Sequence, residues 1–115
     1  LRNVIFYGFP GNKERKVPLT ALQYELLHRF AVVRCSEQDD WLEIKPKQPV
    51  SKKAYDIKDY NEVKRLLVAL LDGLYGKGNW TKELHMQPFK ETLFELSKKR
   101  ERKIRLRVPA KNIGL

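Results

Sequence analysis

Hydrophobic positions change rhythm several times along this chain, and each change marks an element. Asn3-Val4-Ile5-Phe6-Tyr7-Gly8-Phe9 is dense in β-branched and aromatic residues and stops at Pro10-Gly11. The run predicts a strand, and its consecutive apolar residues predict burial on both faces. Residues 12–18 carry three bases and read as a polar loop. From 19 to 31 the spacing turns helical. Leu19, Leu22, Leu26, Leu27, Phe30 and Ala31 share one face, with Gln23, Glu25 and Arg29 turned away. No glycine stops this helix, so Val32-Val33-Arg34-Cys35 is its last turn or a short strand. Trp41-Leu42-Glu43-Ile44-Lys45 alternates and predicts a strand ended by Pro46.

Residues 46–58, with Pro46, Pro49 and a scatter of lysines, read as a connection. A second helix follows. Asp59 suits its N-cap, Glu62 completes an Asp-x-x-Glu pattern, and Val63, Leu66, Leu67, Leu70, Leu71 and Leu74 form its stripe. Gly76 and Gly78 end it. Pro88 suits the start of a third helix, with Phe89, Leu93 and Leu96 facing the core and residues 98–103 able to extend it. Ile104-Arg105-Leu106-Arg107-Val108 then alternates strictly, which predicts a strand with its arginines on the outer face. The partly apolar edge of that strand could pair with a second chain. The order β-α-β-α-α-β predicts an α+β fold, three helices packed on a small sheet of at least three strands.

Length fits a single domain, residues 1–115, and the sequence reads as a module cut from a larger protein. One cysteine, Cys35, excludes an internal disulfide and a cysteine-built zinc site. It follows two valines and is expected to be buried. No apolar run reaches the roughly 18–20 residues a membrane-spanning helix needs. A reducing compartment, nucleus or cytoplasm, is expected.

Charge adds the sharpest signal. The chain holds 24 bases against 14 acids, a net +10. Eight of those bases and a single acid fall within residues 98–115. Such a concentration points to a polyanion. The expected function is a non-catalytic nucleic-acid-binding module that grips phosphates with little sequence selectivity. RNA is slightly favoured over DNA, because the fold looks sheet-based and has no clear recognition helix. The candidate contacts are Lys98, Lys99, Arg100, Arg102, Lys103, Arg105 and Arg107. Arg105 and Arg107 would stand about 7 Å apart on a rigid strand and set geometry, whereas the bases of 98–103 supply attraction. Lys13, Arg15 and Lys16 form a second patch. Lys77 and Trp80 offer a base beside a stacking aromatic, with Tyr75 as another candidate. Against that, Trp80 can simply close the core after the Gly-Lys-Gly turn. The competing function is a protein-interaction or scaffold module whose basic face meets an acidic partner, with Ile57, Tyr60, Phe94 and Leu115 as apolar docking residues.

Two local stretches resemble known families. Tyr75-Gly76-Lys77-Gly78-Asn79-Trp80 resembles the turn between the first two helices of Myb/SANT domains, which implies a third helix over 89–103 as a DNA reader. Asn3-Val4-Ile5-Phe6-Tyr7-Gly8-Phe9-Pro10 resembles the first strand of RNA-recognition-motif domains, which implies a β-α-β continuation. The long basic-aromatic strand of the latter family is absent, and no functional residue is carried over from either.

Catalytic chemistry finds no footing. His28 and His85 are isolated, and nothing in the sequence brings either to Cys35. Glu37, Asp39, Asp40 and Glu43 could ligate a metal, but adjacent carboxylates in a turn are ordinarily solvated. Gly8-Phe9-Pro10-Gly11-Asn12-Lys13 lacks the spacing of a phosphate loop. No enzyme activity, cofactor, metal or small-molecule substrate is expected.

Overall fold

The computed structural model describes residues 2–8, 14–36, 40–48, 54–98 and 102–114. Among these residues it is an α+β fold with three α-helices and two small antiparallel sheets. Strands β1 (Arg2–Phe6) and β2 (Arg15–Leu19) make a two-stranded ribbon. Helix α1 (Ala21–Arg34) leads to β3 (Leu42–Glu43), and α2 (Tyr60–Tyr75) follows. A π-helical turn, Lys82–Met86, runs directly into α3 (Gln87–Leu93). Strands β4 (Phe94–Leu96) and β5 (Lys103–Leu106) close the fold, with β5 central in the order β3-β5-β4.

Helix α2 is the hub. Asp59 caps its first turn by accepting from the Asn61 N–H at 2.9 Å, and Gly76 ends it at φ 96°. Six of its residues, Val63, Leu66, Leu67, Leu70, Leu71 and Leu74, are buried. Strand β2 lies so close to it that a Cβ on Gly73 would come within 2.4 Å of the Val17 side chain. A larger residue there would have to displace the strand.

Helix α1 begins later than its apolar pattern predicts. Leu19 belongs to β2, and Thr20 and Gln23 form a reciprocal capping box at 3.3 and 3.1 Å. Leu26 and Phe30 enter the core, whereas Leu22 on the first turn stays 79% exposed. Residues 32–34 are the helix's last turn. Cys35 is its C-cap and is exposed, contrary to the expected burial.

Other expectations change as well. Strand β1 is not buried on both faces. Only Val4 and Phe6 turn inward, opposite Val17 and Arg15 in register. The stretch read as a polar loop contains β2, because Val17 and Leu19 alternate with Lys16 and Pro18 and bury fully. The third helix stops at Leu93 instead of extending through the basic segment. Phe94 leaves helical geometry at φ −120°, ψ 148°, and its ring packs 4.9 Å from Phe30. Strands β4 and β5 therefore pair as a hairpin where the sequence suggests a continuing helix. That removes the long reader helix implied by the Myb/SANT resemblance. The β1–β2 pairing likewise replaces the β-α-β unit implied by the RNA-recognition-motif resemblance. Strand β5 is the central strand and not an edge, bordered by β4 over Ile104–Leu106 and by β3 over Lys103–Ile104. Among the described residues, no helix is long and apolar enough to cross a membrane.

Candidate functional site

Ile104 and Leu106 of β5 point into the core, as their alternation requires. Lys103 and Arg105 therefore lie on the outer face. Arg105 is not a free cation on that face. Its Nη1 donates to Asp40 Oδ1 at 2.9 Å, its Nε donates to Glu95 Oε2 at 2.9 Å, and its Nη2 lies 2.9 Å from that same oxygen as an ion pair. Glu95 is its cross-strand neighbour on β4. The guanidinium also sits 4.3 Å over the Trp41 ring. Asp40 in turn accepts from Arg34 Nη1 at 2.6 Å, and Arg34 Nε donates to the Val108 carbonyl at 3.1 Å. One carboxylate thus joins the end of α1, the entrance to β3 and the outer face of β5.

Burial raises the Asp40 carboxyl's proton affinity. The charge-assisted hydrogen bonds from Arg105 and Arg34 outweigh it and hold the group below the ordinary aspartate value. The hydrogen bond to Asp40 stabilises the charged form of Arg105 against a smaller desolvation penalty, and Glu95 adds to it. The network is arranged for stability and orientation. A phosphate reaching Arg105 would have to compete with two carboxylates already in place.

Arg107 is exposed, and its Nε donates to the Phe94 carbonyl at 3.1 Å. That bond fixes the stem of the guanidinium.

The other bases collect at the hairpin end of the sheet. The Arg102 carbonyl accepts from Ile44 N–H at 2.8 Å, and Arg102 Nη2 donates to the Lys45 carbonyl at 3.3 Å. Lys103 N–H donates to Ser97 Oγ at 2.8 Å, which closes the hairpin beside Lys98. The Lys45 N–H donates to the Ile57 carbonyl at 2.8 Å, which brings Lys58 to the same end. Lys45, Lys47, Lys58, Lys98, Arg102 and Lys103 make no ion pair with another described residue. Two acids share this end. Asp56 accepts from the Glu43 N–H at 2.8 Å, and Glu43 faces Lys103 in register. Lys99 and Arg100 lie outside the described residues. Arg102 itself adopts φ 49°, a left-handed conformation rare for a side chain of this size.

Other candidates sit apart. Arg15 and Lys16 are exposed on β2, at the loop end of the ribbon; Lys13 is outside the described residues. Lys77 is exposed in the turn after α2. Trp80 is half-buried against the core and donates its Nε1–H to Asp72 Oδ1 at 2.7 Å. It closes the turn after α2. Tyr75 packs edge-on against His85 at 4.7 Å. His85 Nδ1 accepts from Thr81 N–H at 2.9 Å, and His28 stacks on Tyr24. Of the suggested docking residues, Ile57 and Phe94 are core, Tyr60 is half-buried, and Leu115 is outside the described residues. Among the described residues, no group of three His, Cys, Asp or Glu side chains is placed to hold a metal.

The partners of Arg105 are invisible in the sequence. Asp40 looks like one more carboxylate in a solvated turn, and Trp41 like one more strand residue. No local signal joins them to Arg105, because the pairing exists only once β3 and β5 are neighbours. Lys45 is a different case. Its alternation with Ile44 marks a strand end, and that signal is enough to place it beside the tail's bases once the sheet is assembled.

No family model matches this chain, no curated protein matches it, and no solved structure matches it.

Proposed function

We propose that this chain is a non-catalytic nucleic-acid-binding module that grips phosphates with the hairpin end of its three-stranded sheet. One observation carries the reading. Lys45, Lys58, Lys98, Arg102 and Lys103 converge there without ion-pair partners among the described residues, held by hydrogen bonds among three chain segments, and Lys47 follows two residues after Lys45. Lys99 and Arg100 adjoin them in sequence. Attraction of a polyanion needs unneutralised bases on one surface. Arg105, by contrast, serves the fold, and Arg107 is the outer-face arginine left to a ligand. Contacts of this kind give affinity with little base selectivity. RNA is slightly favoured over DNA, since α3 is short and turns Phe89 and Leu93 into the core, leaving no described helix aimed outward from the basic end. The working compartment in this reading is nucleus or cytoplasm.

The test is a titration of labelled single-stranded RNA at several salt concentrations. Neutralising about four phosphates gives a log–log salt slope near −3. Replacing Lys45, Lys98 and Arg102 by Ala should flatten that slope by about 0.7 for each base removed. A matched DNA strand should bind slightly less tightly. Absence of RNA and DNA binding at low salt would overturn the proposal.

A further inference from the structure

We infer that the outer edge of β1 and the apolar groove beside it bind an extended, acidic-apolar segment of another protein as an added strand. Pro18 fixes which pairs of the ribbon are hydrogen-bonded. It has no N–H, so it cannot occupy a hydrogen-bonded pair of the β1–β2 ladder. Its partner in register is Asn3. The hydrogen-bonded pairs are therefore Arg2 with Leu19, Val4 with Val17 and Phe6 with Arg15. Asn3 and Ile5 then direct their backbone N–H and C=O groups away from β2. No described residue bonds to those groups. They form an open row of donors and acceptors of the kind that accepts a further strand.

Side chains beside that row supply the rest of a site. A groove of about 620 Å³ runs along β1, between it, α1, α3 and the segment after β5. Val4, Phe6, Leu27, Phe89, Leu106 and Ile113 give it an apolar wall. Ile5 and Tyr7 also line it and remain 43% and 74% exposed. A strand laid on β1 would place alternate side chains in the groove and cover Ile5 and Tyr7 with the others. Among the described residues no carboxylate lines the groove, and its one ionisable nitrogen group is His28. Arg2, held 5.2 Å over the ring of the lining residue Tyr24, borders it with positive charge. Lys111 adjoins the lining residue Asn112. The complementary occupant alternates apolar residues with Glu or Asp. Leu106 and Val108 line this groove whereas Lys103 marks the basic end, so the two surfaces lie at opposite ends of β5.

The experiment uses a short labelled peptide alternating Val, Ile or Phe with Glu or Asp, and a copy with Lys at the acidic positions. The acidic peptide should bind at least about tenfold more tightly than the lysine copy. Ile5→Pro removes one outward N–H and no β1–β2 bond, and should weaken binding about tenfold with an unchanged unfolding midpoint. If that variant does not fold, the acidic peptide N-methylated at alternate residues takes its place and should fail to bind. His28→Glu should weaken the acidic peptide and strengthen the lysine copy. Equal binding by Ile5→Pro, or no binding of the acidic peptide, overturns the inference. So does a concentration-dependent dimer of the protein that Ile5→Pro abolishes, since a second copy would then cover the edge. RNA binding should survive Ile5→Pro, and peptide binding should survive Lys98→Ala with Arg102→Ala, so this inference and the RNA reading fail separately.

Discussion

Arg105 and Asp40 stand 65 residues apart in sequence and 2.9 Å apart in space. The pair is partly buried, with 28% and 15% of the side chains exposed. It shares Asp40 with Arg34, so removing the carboxylate leaves two guanidinium groups without their common acceptor. Asp40→Ala should lower unfolding free energy by about 2 kcal/mol, the scale of a broken charged hydrogen-bond network. In a domain of this size that is roughly 8 °C in melting temperature. Calorimetry of the two proteins checks it, and a change below about 2 °C, or roughly 0.5 kcal/mol, would mean the network is marginal.

The same carboxylate gives the protein an acid limit. Its folded pKa is depressed, so its stabilising contribution is complete above the unfolded aspartate value of about 3.9. It declines as pH falls through the lower, folded value. Unfolding free energy measured from about pH 6 down to about pH 2 should drop, and Asp40→Asn should drop less steeply over the acid part of that range. Parallel curves for the two proteins would remove Asp40 from the cause.

Gly73 tests the contact between helix and ribbon. Alanine normally favours a helix over glycine by about 1 kcal/mol. Here the added Cβ meets Val17, so Gly73→Ala should instead destabilise by about 1–3 kcal/mol. Adding Val17→Ala opens the space. Denaturant titration of the double variant should show less damage than the sum of the two single variants.

Trp80 separates packing from stacking. Trp80→Phe keeps an aromatic ring but gives up the bond to Asp72. Stability should fall by about 1.5 kcal/mol, while RNA affinity stays unchanged. A drop in affinity at equal stability would return Trp80 to the binding surface.

How much of this is readable ahead of the structure depends on range. Helix α2 is legible because its cap, its stripe and its glycine stop are all local. So is the in–out alternation of Ile104, Arg105 and Leu106. Strand β2 is not, since three bases and Pro18 disguise two buried residues, Val17 and Leu19, that matter only once α2 is beside them. Phe94 sits at a spacing a helix would also satisfy, and contact with Phe30 decides against it. The candidate site divides along the same line. A basic tail is visible in composition alone, but which of its cations remain unpaired depends on Asp40 and Glu95. Arg105 is therefore paired where the sequence suggests a free cation, and Lys45 joins the basic end.

The central place of β5 bears on synthesis. A ribosome delivers β3 long before the strand that must lie against it. Until residue 106 has emerged, the nascent protein has Leu42 and Ile44 waiting beside an empty lane, with Phe30 lacking its ring partner Phe94 until the preceding strand arrives. The cationic stretch that would greet a polyanion is thus the same stretch whose arrival seals the interior, and in a growing chain the two events coincide.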